Sequence, residues 1–286
     1  MIFNLKEELY SGVQDEDIRR IKYFLENHTL ERIKIKTNEW EIIDTKSGTE
    51  TILIFSGGLR KSYLSAFPYI DVLEKNYRII APSHPRLYTI KEFLEGIEEI
   101  IKIKKLNQVY VMGHSFGGIV AQCYADLYPD RVKKLVLVNT LAGTTEFITK
   151  AFKLNFRIIS LLPRKTALNL YKKQLISLLS IPESNKEFWN AFLNDAFFSH
   201  YTYGDYISLQ KNQMDYMDNY STLSSAYKGD VLIINSKDDK STIKALKNRL
   251  YKRYPNANEY NFETGGHIPA WTKPQEYEKV IRAFLK

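Results

Sequence analysis

One cysteine, Cys123, stands in a chain of 286 residues, which excludes an internal disulfide and any cysteine-based zinc site. No uninterrupted apolar run approaches the ~20 residues that cross a bilayer. Residues 1–8 carry acidic side chains and no apolar core, so a signal peptide is not expected. Internal repeats and low-complexity linkers are missing, as are helix-turn-helix, zinc-finger and ribonucleoprotein patterns. These absences leave the expectation of a cytoplasmic protein with no metal, no cofactor and no nucleic-acid partner.

What is present is an ordinary globular composition, 44% hydrophobic, with 41 Lys and Arg against 33 Asp and Glu and a net charge of +8. The excess of cations is scattered rather than gathered in a nucleic-acid footprint. Apolar runs alternate with helical patterns, which predicts a mostly parallel sheet built from βαβ units. Residues 33–35 and 40–43 read as an opening hairpin. Six further strands are predicted at 51–55, 78–81, 109–112, 135–138, 231–234 and 259–262, eight in all. Helices are predicted at 64–74, 90–104, 116–127, 243–254 and 274–285. Residues 141–220 read as helical and aromatic-rich without a strand. They are expected to form a cap inserted after the sixth strand, on a core of residues 1–140 and 221–286.

The strongest local signal is the run from Val109 to Gly118, where an apolar strand enters Gly113-His114-Ser115-Phe116-Gly117. A sharp strand-to-helix turn there holds the serine hydroxyl clear of the sheet. Gly113 and Gly117 stand where side chains would collide across such a turn. Cys123, on the helix that follows, reads as a buried small hydrophobe.

A serine nucleophile needs a base, and the base an orienting acid. The strand at 231–234 ends in Asn235-Ser236-Lys237-Asp238-Asp239, a polar turn at a carboxyl end, where sites collect in open α/β sheets. After the last strand, Thr264-Gly265-Gly266-His267 offers a histidine on a glycine-rich loop. The order Ser…Asp…His and the strand-end positions make Ser115, an aspartate and His267 a candidate triad.

In these motifs the chain resembles the α/β-hydrolase fold superfamily over nearly its whole length. The resemblance implies Ser115 as nucleophile, His267 as base, and Asp239 as acid with Asp238 as the alternative. It also implies an oxyanion hole from the Phe116 N–H and a second N–H at Gly58, in Ser56-Gly57-Gly58-Leu59. That segment departs from the family's usual His-Gly-x. Shorter likenesses to maspardin-like proteins lie at residues 78–85, 92–96, 137–140, 254–257 and 264–266. They imply a rival reading, a hydrolase-like binding or adaptor protein with an incomplete catalytic set. Retention of His267 argues for activity.

The expected reaction is hydrolysis of a carboxylic ester or thioester of a small or lipid-like acyl substrate. His84, in a loop that departs from the family pattern, is a candidate rim contact, with a structural or solvated loop residue as the preferred reading. Phe197 and Tyr201, in Phe197-Phe198-Ser199-His200-Tyr201, are candidate pocket residues, with packing of the cap against the core as the competing reading. Residues 150–173 hold seven cations and no acid, interleaved with apolar side chains. Peripheral contact with an anionic membrane competes there with a plain solvated basic face, and the plain reading is preferred.

Overall fold

Lys36, at a φ of 53°, turns the chain back between β1 (Leu30–Ile35) and β2 (Asn38–Asp44), the expected antiparallel hairpin. The structure is a computed structural model that describes residues 2–57, 61–83, 85–241 and 244–286. Beyond the hairpin come β3 (Thr51–Ser56), β4 (Arg78–Ser83), β5 (Val109–His114), β6 (Val132–Val138), β7 (Val231–Ser236) and β8 (Asn258–Phe262). The sheet order is β1-β2-β4-β3-β5-β6-β7-β8. β2 pairs antiparallel with β4, and β4, β3, β5, β6, β7 and β8 run parallel.

The helices before β6 are α1 (Asp15–Asn27), α2 (Ser62–Leu73), α3 (Ile90–Ile103) and α4 (Phe116–Leu127). Between β6 and β7 lie α5 (Glu146–Ser160), α6 (Arg164–Leu178), α7 (Lys186–Phe192) and α8 (Tyr203–Asn219), with no strand among the described residues. The chain closes with α9 (Lys244–Arg253), α10 (Pro269–Thr272) and α11 (Pro274–Leu285). Of these, α1 has no counterpart in the predicted helices. Its Ile21 and Phe24 are buried, and Arg20 pairs with Asp71 of α2 at 2.8 Å.

Inner strands such as β3 and β7 are buried along their length because both faces of the sheet are covered there, whereas the outer strands β1 and β8 are partly exposed. Ile52 and Ile54 join one core with α2 and α11, while Leu53 and Phe55 join another with α3 and α4. The period of two sends alternate residues to opposite layers. Each such side chain contributes about 1.5–3 kcal/mol on burial. Cys123 is buried in the second core, and burial pushes its thiol pKa up.

Register aligns the carboxyl ends of the central strands. Ser56 pairs with His114, His114 with Val138, and Val138 with Ile234. Residues just past these ends therefore share one edge of the sheet.

Candidate active site

Ser115 follows β5 directly and precedes the first residue of α4, at φ 56° and ψ −127°. A non-glycine residue in such a conformation stores about 1–3 kcal/mol of strain and persists only where its surroundings enforce it. Here they do. Ser115 N–H donates to Val138 O at 3.0 Å, and Ser115 O accepts from Gly118 N–H at 2.9 Å and Thr140 Oγ1 at 2.6 Å. The flanking glycines permit the turn. A Cβ on Gly113 would stand 2.5 Å from Gly117 O, and one on Gly117 would stand 2.2 Å from Phe55 O.

The aspartate–histidine pair assembles from two loops. Asp239 Oδ2 lies 3.2 Å from His267 Nδ1, and Asp239 Oδ1 accepts from Ser241 N–H at 2.9 Å. Burial works to raise the Asp239 pKa, but hydrogen bonds and charge from His267, with further bonds from Ser241, hold it below the usual value. Asp238 serves otherwise. Its Oδ1 accepts from the N–H groups of Gly265 and Gly266, at 3.0 and 2.9 Å, and so clamps the loop that carries His267. Ser241 Oγ also meets His267 Nδ1, at 2.7 Å.

Two further residues hold that loop. Asn139, at φ 41° just past β6, donates Nδ2 to Gly266 O and His267 O, both at 3.0 Å, and accepts from Ser236 N–H at 2.8 Å. His114 Nε2 lies 2.9 Å from His267 O. A carbonyl only accepts, so the proton sits on Nε2. Burial first, and the neighbouring His267 second, lower the His114 pKa to about 3, so this ring is neutral. His267 N–H itself donates to Leu179 O at 3.3 Å, tying the loop to the residue that follows α6. Ser180 extends the tie, its Oγ accepting from Lys240 N–H at 3.0 Å.

Ser115 and His267 line one cavity of about 180 Å³. Its apolar walls are Phe116, Ile119, Leu141, Leu175, Leu178 and Leu179, and its polar lining includes Asn139, Thr140, Gln213 and Ser241. Gln213 Oε1 is buried with no hydrogen-bond partner among the described residues. Ser115 Oγ makes no hydrogen bond to His267 among the described residues. Phe116 heads α4, so its N–H is one of the donors a helix leaves unshared.

The structure thus brings Ser115, Phe116, Asp239 and His267 to one place. Gly58 and His84 lie outside the described residues. Phe197 and Tyr201 do not line this cavity, and both are buried by packing, the competing reading. Phe197 sits in a π-helical turn, Leu193–Phe198, that buries it edge-on to Phe192 at 5.6 Å. Tyr201 stacks on Tyr171 at 5.5 Å. Sequence reasoning gave no role to Asn139, Ser241 or His114. Asn139 and His114 were visible only as polar residues at strand ends. No described group of three or more His, Cys, Asp or Glu is placed to hold a metal.

Residues 50–274 match the family profile of the alpha/beta hydrolase fold. Maspardin from Danio rerio is 25% identical over 214 residues, 73% of this chain and 66% of its own. A poly(3-hydroxyalkanoate) depolymerase from Ectopseudomonas oleovorans is 33% identical over 104 residues, 32% of this chain and 36% of its own. The matches therefore span less than two thirds of either relative. Among solved structures, the enol-lactonase from Burkholderia xenovorans superposes with a TM-score of 0.71 at 16% identity, covering 89% of this chain and 99% of that one. With the sheet order, the strand-to-helix turn and the profile in agreement, the chain belongs to the α/β hydrolase fold family.

Proposed function

We propose that the protein is a serine hydrolase that cleaves a carboxylic ester or thioester of a small acyl group through an acyl-enzyme on Ser115. The observation that carries this reading is the shared cavity, where a strained Ser115 faces a histidine whose Nδ1 is engaged by Asp239 and Ser241. With Nδ1 occupied, Nε2 is the basic nitrogen left for the serine. His267 takes the Ser115 proton as Oγ attacks the acyl carbon, then returns it to the departing alcohol or thiol. Water, deprotonated by the same imidazole, releases the acid. The Phe116 N–H and a second amide from the loop after β3, where Gly58 stands, receive the oxyanion, each worth about 3–4 kcal/mol.

The helices between β6 and β7 act in this reading as a cap, supplying Leu175, Leu178 and Leu179 to an apolar roof. A cavity of about 180 Å³ is smaller than the about 300–1,000 Å³ of drug-sized sites, which favours a short acyl chain. The names of the depolymerase and the enol-lactonase point toward ester substrates as well.

A second reading, a binding protein that holds its ligand without cleaving it, is favoured by one observation. Ser241 Oγ approaches His267 Nδ1 more closely than Asp239 does, at 2.7 against 3.2 Å. A fluorophosphonate probe separates the two. Labelling of the wild type that vanishes in Ser115→Ala supports the hydrolase. A folded wild type that stays unlabelled leaves the binding protein.

A further inference from the structure

The cap's first helix is apolar on two faces, and only one of them is covered. Phe156 and Ile159 of α5 pack against the core. On the other side, Phe147, Ala151, Leu154, Ile158 and Leu161 follow one another at spacings of four, three, four and three, a single stripe along the helix. Phe147 and Leu161 are 81% and 86% exposed, and Leu154 and Ile158 are more than half exposed. A run of large apolar side chains open to water marks an interaction surface rather than scattered surface residues.

Charge identifies what fits the stripe. Between Glu146 and Glu183 the chain carries seven Lys and Arg and no acid. Lys150 pairs with Glu146 and Lys153 with Asp218, whereas Arg157, Lys165 and Lys173 make no ion pair among the described residues. Helical geometry puts Lys150 and Arg157, seven residues apart, on the same flank of the stripe. A second copy of the chain would bring the same cations and the same +8 charge against them, a like-charge contact that works against pairing. An anionic bilayer meets both demands, with apolar residues at the acyl boundary and cations among the headgroups.

We propose that the outer face of α5, continued through Leu161 to Lys165, seats the protein on anionic lipid surfaces. This docking is independent of the chemistry at Ser115, although α6, which packs on α5, also walls that cavity.

Co-sedimentation of the full chain with vesicles tests it. Binding is expected to phosphatidylcholine vesicles containing phosphatidylserine, with far less to phosphatidylcholine alone and a decline as salt rises. Phe147→Ser with Leu161→Ser should weaken that binding roughly tenfold or more, because the lost apolar contact is the anchor. Arg157→Glu with Lys165→Glu should erase the preference for phosphatidylserine. All four positions are exposed, so unchanged melting temperatures are expected and verify the comparison. Ser115→Ala should bind vesicles as the wild type does, which keeps this result separate from the hydrolase test. No binding at low salt, or binding that ignores both double variants, overturns the proposal. So does a dimer in sedimentation that Phe147→Ser with Leu161→Ser disperses, since the stripe would then belong to a second copy.

Discussion

His114 Nε2 donates to the main-chain oxygen of His267 across 2.9 Å, so the residue before the proposed nucleophile grips the residue proposed as base. The two rings lie 4.5 Å apart between centroids, and Tyr69 packs on His114 at 5.3 Å. His114→Phe keeps the packing and deletes the bond. It should cost about 1 kcal/mol of stability. The pH dependence carries a clearer sign. The folded pKa of about 3 lies below the usual 6.5, so the contribution of a neutral His114 is present above 6.5 and lost as pH falls toward 3. Thermal melts across that window should show a shallower acid decline in His114→Phe than in the wild type.

His28 reports with the opposite sign. Burial works to lower its pKa, but Glu74 at 2.7 Å and the Phe24 carbonyl raise it above the ordinary value. Its contribution is therefore complete below about 6.5 and declines as pH rises through the raised folded value. His28→Gln should melt with less change between mildly acidic and mildly alkaline buffer than the wild type does.

The backbone at Ser115 makes a prediction that needs no substrate. Glycine adopts positive φ freely, so Ser115→Gly should melt higher than Ser115→Ala, by about 1 kcal/mol in stability. Equal melting temperatures would mean that the turn carries no strain. Both variants should lose fluorophosphonate labelling.

The adjacent aspartates should separate cleanly. Asp239→Asn is expected to lower kcat by about 10⁴ with the fold intact, since the imidazole loses its orienting charge. Asp238→Ala strands two loop N–H groups and should cost about 1–3 kcal/mol in chemical denaturation, with the loss of activity following from the loosened His267 loop. A reversal of these effects would reassign the acid.

Gly117 is the most intolerant position of the turn. Its Cβ would fall 2.2 Å from Phe55 O and 2.7 Å from Ser56 N, both backbone atoms that cannot swing aside. Gly117→Ala should cost about 3 kcal/mol or more, read as a lowered denaturation midpoint or loss of soluble protein.

The inner strands could be located in the sequence because burial on both faces makes them continuous apolar runs, as in Thr51–Ser56 and Val231–Ser236, whereas β1, β2 and β8 show only a partly apolar pattern. Ser115 and His267 were legible too, since each stands at a glycine-marked turn just past a strand. The helix α1 was missed although Ile18, Ile21, Phe24 and Leu25 recur at helical spacing among charged residues, a stripe the sequence does carry. Asn139 acts through main-chain atoms and Ser241 through the His267 ring, all far away in sequence, and spacing carries no trace of such bonds. The two readings of Phe197 and Tyr201 could not be separated for a related reason. Whether an aromatic faces a cavity or a core depends on tertiary packing, here against Phe192 for Phe197 and against Tyr171 for Tyr201.

The bond from His267 N–H to Leu179 O joins the proposed base to the end of the apolar roof. Ser180 continues that seam, since its carbonyl would stand 2.6 Å from a Cβ on Gly266 and its hydroxyl accepts from Lys240. Lifting that end of the roof away from the sheet breaks a main-chain bond to the His267 loop, while Asp239 and Ser241 still hold the ring and Asp238, Asn139 and His114 the loop. A gap opened at this seam would therefore part roof from loop and leave the histidine on its own footing.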